Sequence, residues 1–497
     1  MKLRELLKDV SYELVKGSLD IEINDISYDS RKVDENTVFV ALKGFRVNGH
    51  DYIESAVKLG CRVIIVSDDV EVDDSITVIK LEDTRVDLSK ISRTLFGYPD
   101  KEMTVIAITG TKGKTTTSSM IKKILDDSGK ICGLIGTMGV FYKDKYYHTV
   151  NTSPESYDVF KYMREMLDNG VKYLVMEISS QSLKLKRWSN VIFDYAVFTN
   201  LSLDHVGDDE HDSFEDYMYC KSLLFKQSKV GIFNMDSEYF SYMSKDASCD
   251  VYTFGYNEQA DYKLVSTTNI LESGFMGIEM VTDGKVKDTF KVSIPGDFTA
   301  YNTIACISVC DVLGIDIEVV KKSLENIFVK GRLESVRVSN KFSLLIDYAY
   351  QGIAMENVLS TIKLSNPKRI VNVFGCGGNR SRQRRFDCGE ISGRLADLSI
   401  LTADNPRYEN NEDIIKDILV GMEKTDGKYI IIPDRKEAIK SAIVNAEDGD
   451  VVLVLGKGHE DYQEINGVRY PFDERVVIRE IINEMTEEEK VKSGIIV

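Results

Sequence analysis

The stretch ITGTKGKTTT, residues 108–117, decides how the chain is read. It closes a run of strand character, TVIAIT at 104–109, and opens one of helix character, TTTSSMIKKILDD at 115–127. A glycine-rich turn between a buried strand and a helix is the setting of a phosphate-binding loop. There, successive backbone N–H groups point into one concavity and the helix dipole favours an anion. The usual spacing, G-x-x-x-x-G-K-[ST], needs a glycine five residues before Gly113, and that position is Ile108. The loop is therefore the shorter Gly110-Thr111-Lys112-Gly113, followed by Lys114, Thr115 and Thr116. Lys114 is placed to reach the outer phosphates of a nucleotide, and the Thr115 hydroxyl to face magnesium. A bare match of this length also describes a glycine turn capping a helix; the strand before it and the helix after it favour the nucleotide.

Outward from the loop, apolar strand runs alternate with helical stretches. YLVMEIS, DYAVFTN and KVGIFNM follow before residue 234 or so, and FSLLIDYA, RIVNVFG, LSILTAD, YIIIP and DVVLVLG from 342 onward. That alternation predicts parallel sheets covered on both faces, an α/β fold. Before it, VFVAL, CRVIIVS and SITVIKL are strand-length runs in a first block that ends at the turn-rich FGYPDKEM, 96–103. An apolar helix-like stretch at 301–314 closes the middle block, and the tail EEEKVKSGIIV is expected to fray. Three domains result, 1–99, 100–331 and 332–497, which suits 497 residues.

Composition sets limits. The chain is 43% hydrophobic and 29% charged with seven prolines, so it is not disordered. A net charge of −17 argues against a nucleic-acid surface. No apolar run approaches the ~18 residues that span a bilayer, and a cytoplasmic location follows by default. The eight cysteines are scattered without a C-x-x-C pair and read as reduced thiols.

Polar residues gather at strand ends, where open parallel sheets place their ligands. Glu177 ends one strand, and Asn200, Asp204, His205 and His211 follow another; carboxylate and imidazole near a phosphate loop suit magnesium. Alone, DHVGDDEH would be an acidic surface loop. In SFEDYMYCKSLLF, Lys221 shares a helix face with Tyr217 and Phe225, a pattern more typical of a snorkelling surface lysine. Farther on, GCGGNRSRQRR concentrates Arg380, Arg382, Arg384 and Arg385, with Arg394 nearby, as for carboxylate or phosphate recognition. TADNPRYEN and GKGHEDYQ end two further strands with Asp404, Asn405, Arg407, Gly456, His459 and Glu460, so three polar motifs share one sheet edge.

GTKGKTT resembles the GTNGKTT loop of the Mur ligases, ATP-dependent enzymes that add amino acids to the cell-wall precursor. NTSPES, MEISS, TNLSLDH, YMYCKSLLF, GRLE, GCGGNR, DNPR and GKGHEDYQ are similar, in order, to motifs of the tripeptide-synthesising branch of that family. The shortened loop is that family's normal form. The resemblance implies a small α/β domain for the UDP end of UDP-N-acetylmuramoyl-L-alanyl-D-glutamate, a central ATPase and a Rossmann-like third domain for the incoming amino acid. It implies that Ser30 contacts the uridine end, and that Asn151, Thr152, Ser153, Ser179 and Arg187 contact the muramoyl dipeptide. ATP falls to residues 110–116 together with Asn302, Arg332 and Asp347. Glu177 and His205 with Thr115 become magnesium ligands, and Lys221 the family's carbamylated lysine, whose negative charge would orient a second ion. With Lys114, the residues Glu177, His205 and Lys221 form the implied catalytic set.

Arg380, Asp404, Asn405, Pro406, Arg407, Gly456 and Glu460 match the family pattern for the incoming residue. DNPR marks acceptance of meso-diaminopimelate, whose second carboxylate needs a guanidinium; an arginine facing an ammonium would repel L-lysine. The implied activity is an amide ligation through an acyl phosphate in peptidoglycan synthesis, by an enzyme expected to be a monomer. Two departures stand out. The family's DYAHTP reads DYAYQG at 347–352, and the segment after GCGGNR reads SRQRRFDCG. Ligation of L-lysine or another diamino acid, a related folylpolyglutamate synthase, or a precursor-binding paralogue with little catalysis are the competing readings.

Overall fold

The computed structural model describes residues 1–44, 47–149, 151–203, 207, 211–272, 275–329, 331 and 333–496. Their contacts divide the chain into two compact units, Met1–Asp261 with Ala305–Ile315, and Tyr262–Ile304 with Asp316–Val497.

In the first unit, runs rich in valine and isoleucine form a five-stranded sheet: β1 (Glu13–Lys16), β2 (Asp25–Ser27), β3 (Thr37–Val40), β4 (Val63–Val66) and β5 (Thr77–Lys80), in the order β1-β5-β4-β3-β2. All pairs are parallel except β1 with β5. β3 and β4 are buried along their whole length, as parallel strands covered on both faces must be.

The larger sheet of this unit runs through β6 (Thr104–Thr109), β7 (Cys132–Gly136), β8 (Gly139–Tyr142), β9 (Lys145–Tyr147), β10 (Tyr173–Glu177), β11 (Phe193–Phe198), β12 (Ser228–Asn234) and β13 (Asp250–Gly255). Its order is β13-β12-β11-β6-β10-β7-β8-β9, with only β8 and β9 antiparallel. Register positions the chemistry. Glu177 of β10 lies opposite Ile108 of β6, and Phe198 of β11 opposite Thr109. The loop after β6, the carboxylate ending β10 and the Thr199-Asn200 turn after β11 thus emerge together at one sheet edge.

In the second unit, β14 (Tyr262–Glu272), β15 (Phe275–Gly284) and β16 (Thr289–Val292) form an antiparallel meander. The sequence reading had no separate element here. Along β15 buried and half-buried side chains largely alternate, as on a sheet with one partly exposed face. A six-stranded sheet follows: β17 (Glu334–Ser335), β18 (Ser343–Asp347), β19 (Arg369–Phe374), β20 (Leu398–Leu401), β21 (Tyr429–Ile431) and β22 (Asp450–Leu455), ordered β17-β18-β22-β19-β20-β21. Five strands are parallel and β17 is antiparallel. A hairpin, β23 (Tyr462–Ile465) and β24 (Val468–Pro471), stands outside it.

The tail corrects the expectation of fraying. Glu487–Ser493 is a helix started by a Thr486 and Glu489 capping box. Ser339 Oγ donates to the Ser493 carbonyl at 2.6 Å, Asn340 N to Gly494 O at 3.1 Å, and Ile496 N to Val338 O at 3.0 Å. Glu487, Glu488 and Glu489 form the acidic first turn that favours a helix start.

Candidate active site

The loop after β6 is built on glycine. Gly110 has φ +150°, and a Cβ there would sit 2.0 Å from Thr199 Oγ1, so only glycine lets the loop approach the β11 turn. The turn returns the contact: Thr111 N donates to Asn200 O at 3.0 Å, Lys112 N to Asn200 Oδ1 at 2.9 Å, and Thr199 Oγ1 to Lys112 O at 2.7 Å. Gly113, at φ +85°, caps the helix Lys114–Asp127 without a side-chain capping hydrogen bond among the described residues. Lys112 is exposed, and Thr115 and Thr116 are half-buried.

Two ammonium groups converge on this loop. Lys114 Nζ lies 2.8 Å from the Gly110 carbonyl oxygen, and Lys221 Nζ lies 2.9 Å from the same atom. Lys221, on the helix Phe214–Lys226, is 2% exposed and sits 4.7 Å from the centroid of the Tyr217 ring. The snorkelling alternative is thereby excluded: this lysine points inward, onto the phosphate loop.

Beside it, Glu177 is fully buried. Its Oε2 accepts from Thr115 Oγ1 at 3.0 Å and Thr137 Oγ1 at 2.9 Å, and its Oε1 from Thr137 N at 3.3 Å. Thr137 Oγ1 is also 3.2 Å from Thr152 Oγ1. Ser153 Oγ donates to the Glu177 carbonyl at 2.9 Å and accepts from Ser179 N at 3.0 Å, while Arg187 holds Ser153 O at 2.6 Å. Hydrogen bonds therefore join Thr115, Thr152, Ser153, Glu177, Ser179 and Arg187 in one network, and Lys114, the chain neighbour of Thr115, meets Lys221 at the Gly110 carbonyl. Asn151 is exposed beside it. Asp204, His205 and Arg332 lie outside the described residues.

His211 is buried between Asp216 Oδ2 and Ser180 Oγ, both at 2.8 Å. Burial pushes its imidazole below the ordinary value, against the pull of Asp216. Burial also opposes charge on Asp216, yet the Lys184 ammonium and the His211 ring hold that carboxyl down at about 2. With Cys220 these two residues bring three potential ligand atoms within 4.8 Å. Both ring nitrogens are already engaged, and the network reads as structural.

Ser30 is separate from this cluster. It lines a cavity of about 680 Å³ with Tyr28, Arg31, Phe39, Arg85 and Glu155. Arg85 and Glu155 were not foreseen: Glu155 binds both Arg85, at 3.1 Å, and Arg187, at 2.8 Å. Glu155 lies within NTSPES, but nothing in the sequence marked its two arginine partners.

In the second unit, GCGGNR follows β19, DNPR follows β20 and GKGHE follows β22, at the carboxyl ends of adjacent strands. Gly378 permits their approach, since a Cβ would lie 1.9 Å from Pro406 O. Asn405 Nδ2 donates to Glu460 Oε2 at 2.8 Å. Arg407 adopts φ +52°, donates to Gly378 O at 2.7 Å and lies 3.5 Å from Glu464. Asp404 and Pro406 are buried, and Asp404 Oδ2 lies 2.4 Å from where a Cβ on Gly456 would fall. Asp347 accepts from Leu333 N at 2.7 Å and Ala349 N at 2.9 Å. Asn302, on the helix Asp297–Val312, is buried.

The arginine cluster does not act together. Arg382 and Arg385 both bind Asp417, Arg385 also holds Glu409 at 2.8 Å, and Arg394 pairs with Glu356 at 2.9 Å. Arg382 and Arg385, at i and i+3, share one helix face and are taken up by acidic partners, while Arg394 lies farther along the helix. Arg380 remains exposed beside the motifs, and Arg384 stands 5.4 Å from the Tyr350 ring. Tyr350 is itself 4.9 Å from Tyr348, which is 4.4 Å from His459. Lys457, not singled out in the sequence although it lies within GKGHE, is completely buried against Asn405 and Glu460.

Sequence profiles agree with this layout. The Mur ligase family catalytic domain matches residues 22–93, the Mur ligase middle domain 108–310, and the Mur ligase glutamate ligase domain 331–458. The UDP-N-acetylmuramoyl-L-alanyl-D-glutamate--2,6-diaminopimelate ligase of Clostridium perfringens is 39% identical over 489 residues, covering 97% of this chain and 99% of that protein. Its namesake from Caldanaerobacter subterraneus is 40% identical over 485 residues, 97% and 99% of the two chains. This chain belongs to the Mur ligase family. A solved structure of a ligase of the same name superposes with a TM-score of 0.74 at 27% identity, covering 97% of this chain and 99% of that one. The ADP complex of the MurF ligase from Thermotoga maritima, at 20% identity and a TM-score of 0.54 over 94% and 98% of the chains, shares the Mur ligase fold. The three-domain α/β expectation holds for this Mur ligase, an ATP-dependent amide-bond ligase.

Proposed function

We propose that this Mur ligase joins 2,6-diaminopimelate, as the meso isomer, to the glutamyl carboxylate of UDP-N-acetylmuramoyl-L-alanyl-D-glutamate, with ATP as co-substrate. The observation that carries the reading is a glycine loop at a helix N-terminus, with Lys114 Nζ on the Gly110 carbonyl oxygen and Thr115 Oγ1 on the buried Glu177 carboxylate. The Lys114 ammonium and the helix dipole on one concavity suit an anion as highly charged as a triphosphate. The precursor's carboxylate attacks the γ-phosphorus, the bond to ADP breaks, and an acyl phosphate forms while Lys114 offsets charge on the transferred group. The amino acid's neutral amine then attacks the acyl carbon, and phosphate leaves from the tetrahedral intermediate.

The residues also fit magnesium. Thr115 and Thr137 present hydroxyl oxygens to the buried Glu177 carboxylate, a hard oxygen-donor set. Thr115, Glu177, His205 and a carbamate on Lys221 would hold the ion, which supplies charge that lets one anion approach another. Two ammonium groups on one oxygen repel, and a carbamate at Lys221 would turn that repulsion into attraction. In the second unit, Arg407, Arg380 and the second Nδ2–H of Asn405 would meet the carboxylates of the amino acid, and Glu460 an amino group.

Boundaries at 99 and 331, a monomeric state and a cytoplasmic location belong to the same proposal. Among the described residues no helix is long and apolar enough to cross a membrane. Lys114→Ala should abolish ADP release from ATP, precursor and amino acid; normal turnover in that variant would overturn the reading.

A further inference from the structure

A lysine ammonium is costly to bury, and GKGHE buries one completely. Lys457 Nζ donates to Asn405 Oδ1 at 2.9 Å and lies 3.4 Å from Glu460 Oε2. Asn405 is 3% exposed, its Oδ1 also accepts from Glu464 N at 2.9 Å, and its Nδ2 donates to Glu460 Oε2 at 2.8 Å. An asparagine amide can turn over, exchanging donor for acceptor. Here the turned state would set Nδ2, a donor, against the Lys457 ammonium and the Glu464 N–H, which are both donors. Lys457 and the Glu464 N–H together select one amide orientation, the one that hydrogen-bonds Glu460, and the ammonium is the charged member of that pair. The same ammonium offsets the Glu460 charge, whose other oxygen faces Tyr348 OH at 3.4 Å.

Three segments meet at this point: the turn after β20, the loop after β22 and the β23 strand. A side chain needed only to fill the space could be apolar, and would avoid the desolvation of a charge. From this geometry we infer that Lys457 is a positioning residue for the incoming amino acid, acting through Asn405 and Glu460. The inference rests on the proposed role of those two residues.

Lys457→Met keeps the volume and removes the ammonium. A lost hydrogen bond from a charged group corresponds to a roughly tenfold to hundredfold effect. The Michaelis constant for diaminopimelate should rise by about that factor, with those for ATP and the UDP precursor within about twofold of wild type. Lys457→Gln, which restores a donor, should recover part of the loss, and it provides a second variant if the methionine chain is poorly folded. A constant for the amino acid that is unchanged in both variants, or that rises no more than those for ATP and precursor, would overturn the inference while leaving the ligase reading intact. No turnover of the wild type with any diamino acid would overturn both.

Discussion

Glu177→Gln separates the fold from the chemistry at the phosphate loop. The carboxylate receives three donors, two hydroxyls on Oε2 and the Thr137 N–H on Oε1. A glutamine can keep the shape. Its oxygen takes the Thr137 N–H, and its amide faces the two threonine hydroxyls, which rotate to accept. What is lost is the charge assistance of about three hydrogen bonds, a difference of roughly 1–3 kcal/mol in all. Against a stability of about 5–15 kcal/mol the variant should remain folded, with melting lowered by only a few degrees. Catalysis should fare much worse, because an amide is a poor ligand for a hard divalent cation. Loss of one such electrostatic group should lower kcat roughly 100- to 1,000-fold and shift the magnesium titration to higher concentration. Phosphate release across a magnesium series, with circular-dichroism melts of the same samples, measures both. A variant that melts normally and keeps both its kcat and its magnesium midpoint would refute the placement of the ion at Glu177.

Arg407→Lys should raise the Michaelis constant for diaminopimelate by about tenfold or more while leaving that for ATP unchanged, because the planar fork is lost; steady-state kinetics with each substrate varied would show it. Removing residues 487–497 should lower the stability of the second unit by roughly 1.5–4.5 kcal/mol, the sum of three hydrogen bonds, read by urea unfolding. His211 has a depressed folded value and Asp216 one of about 2, so both contribute stability above their ordinary values and lose it as the pH falls. For His211 the loss begins below about pH 6.5, and for Asp216 it runs from about 4 down to about 2. Melting temperature against pH should therefore fall below about 6.5, and His211→Gln should flatten the segment between pH 5 and 7.

Much of this architecture was legible because local pattern and tertiary role coincide. TVIAIT became the central β6 and the glycines after it made the loop, since a buried parallel strand and a capped helix each carry their own signal. The same holds for the strand ends bearing Glu177, DNPR and GKGHE. Lys221 failed by polarity pattern: a lysine between Tyr217 and Phe225 looks amphipathic until the Gly110 carbonyl is found beneath it, and only the family resemblance pointed there. Glu155 and the Lys457–Asn405 contact were invisible for a related reason, as Arg85, Arg187 and Asn405 are remote in sequence. The arginines after β19 misled in the opposite direction, because density along the chain is not convergence in space. Arg385 ends on Asp417 and Glu409, 32 and 24 residues farther along the chain, which no local pattern announces.

The most direct measurement is the mass of the product formed by the purified protein with ATP, magnesium and UDP-N-acetylmuramoyl-L-alanyl-D-glutamate, offered meso-diaminopimelate, L-lysine, D-lysine and L-ornithine in competition. The account predicts stoichiometric ADP and phosphate and a single product carrying diaminopimelate. A product carrying lysine or ornithine instead, or no product with any amine, would contradict it.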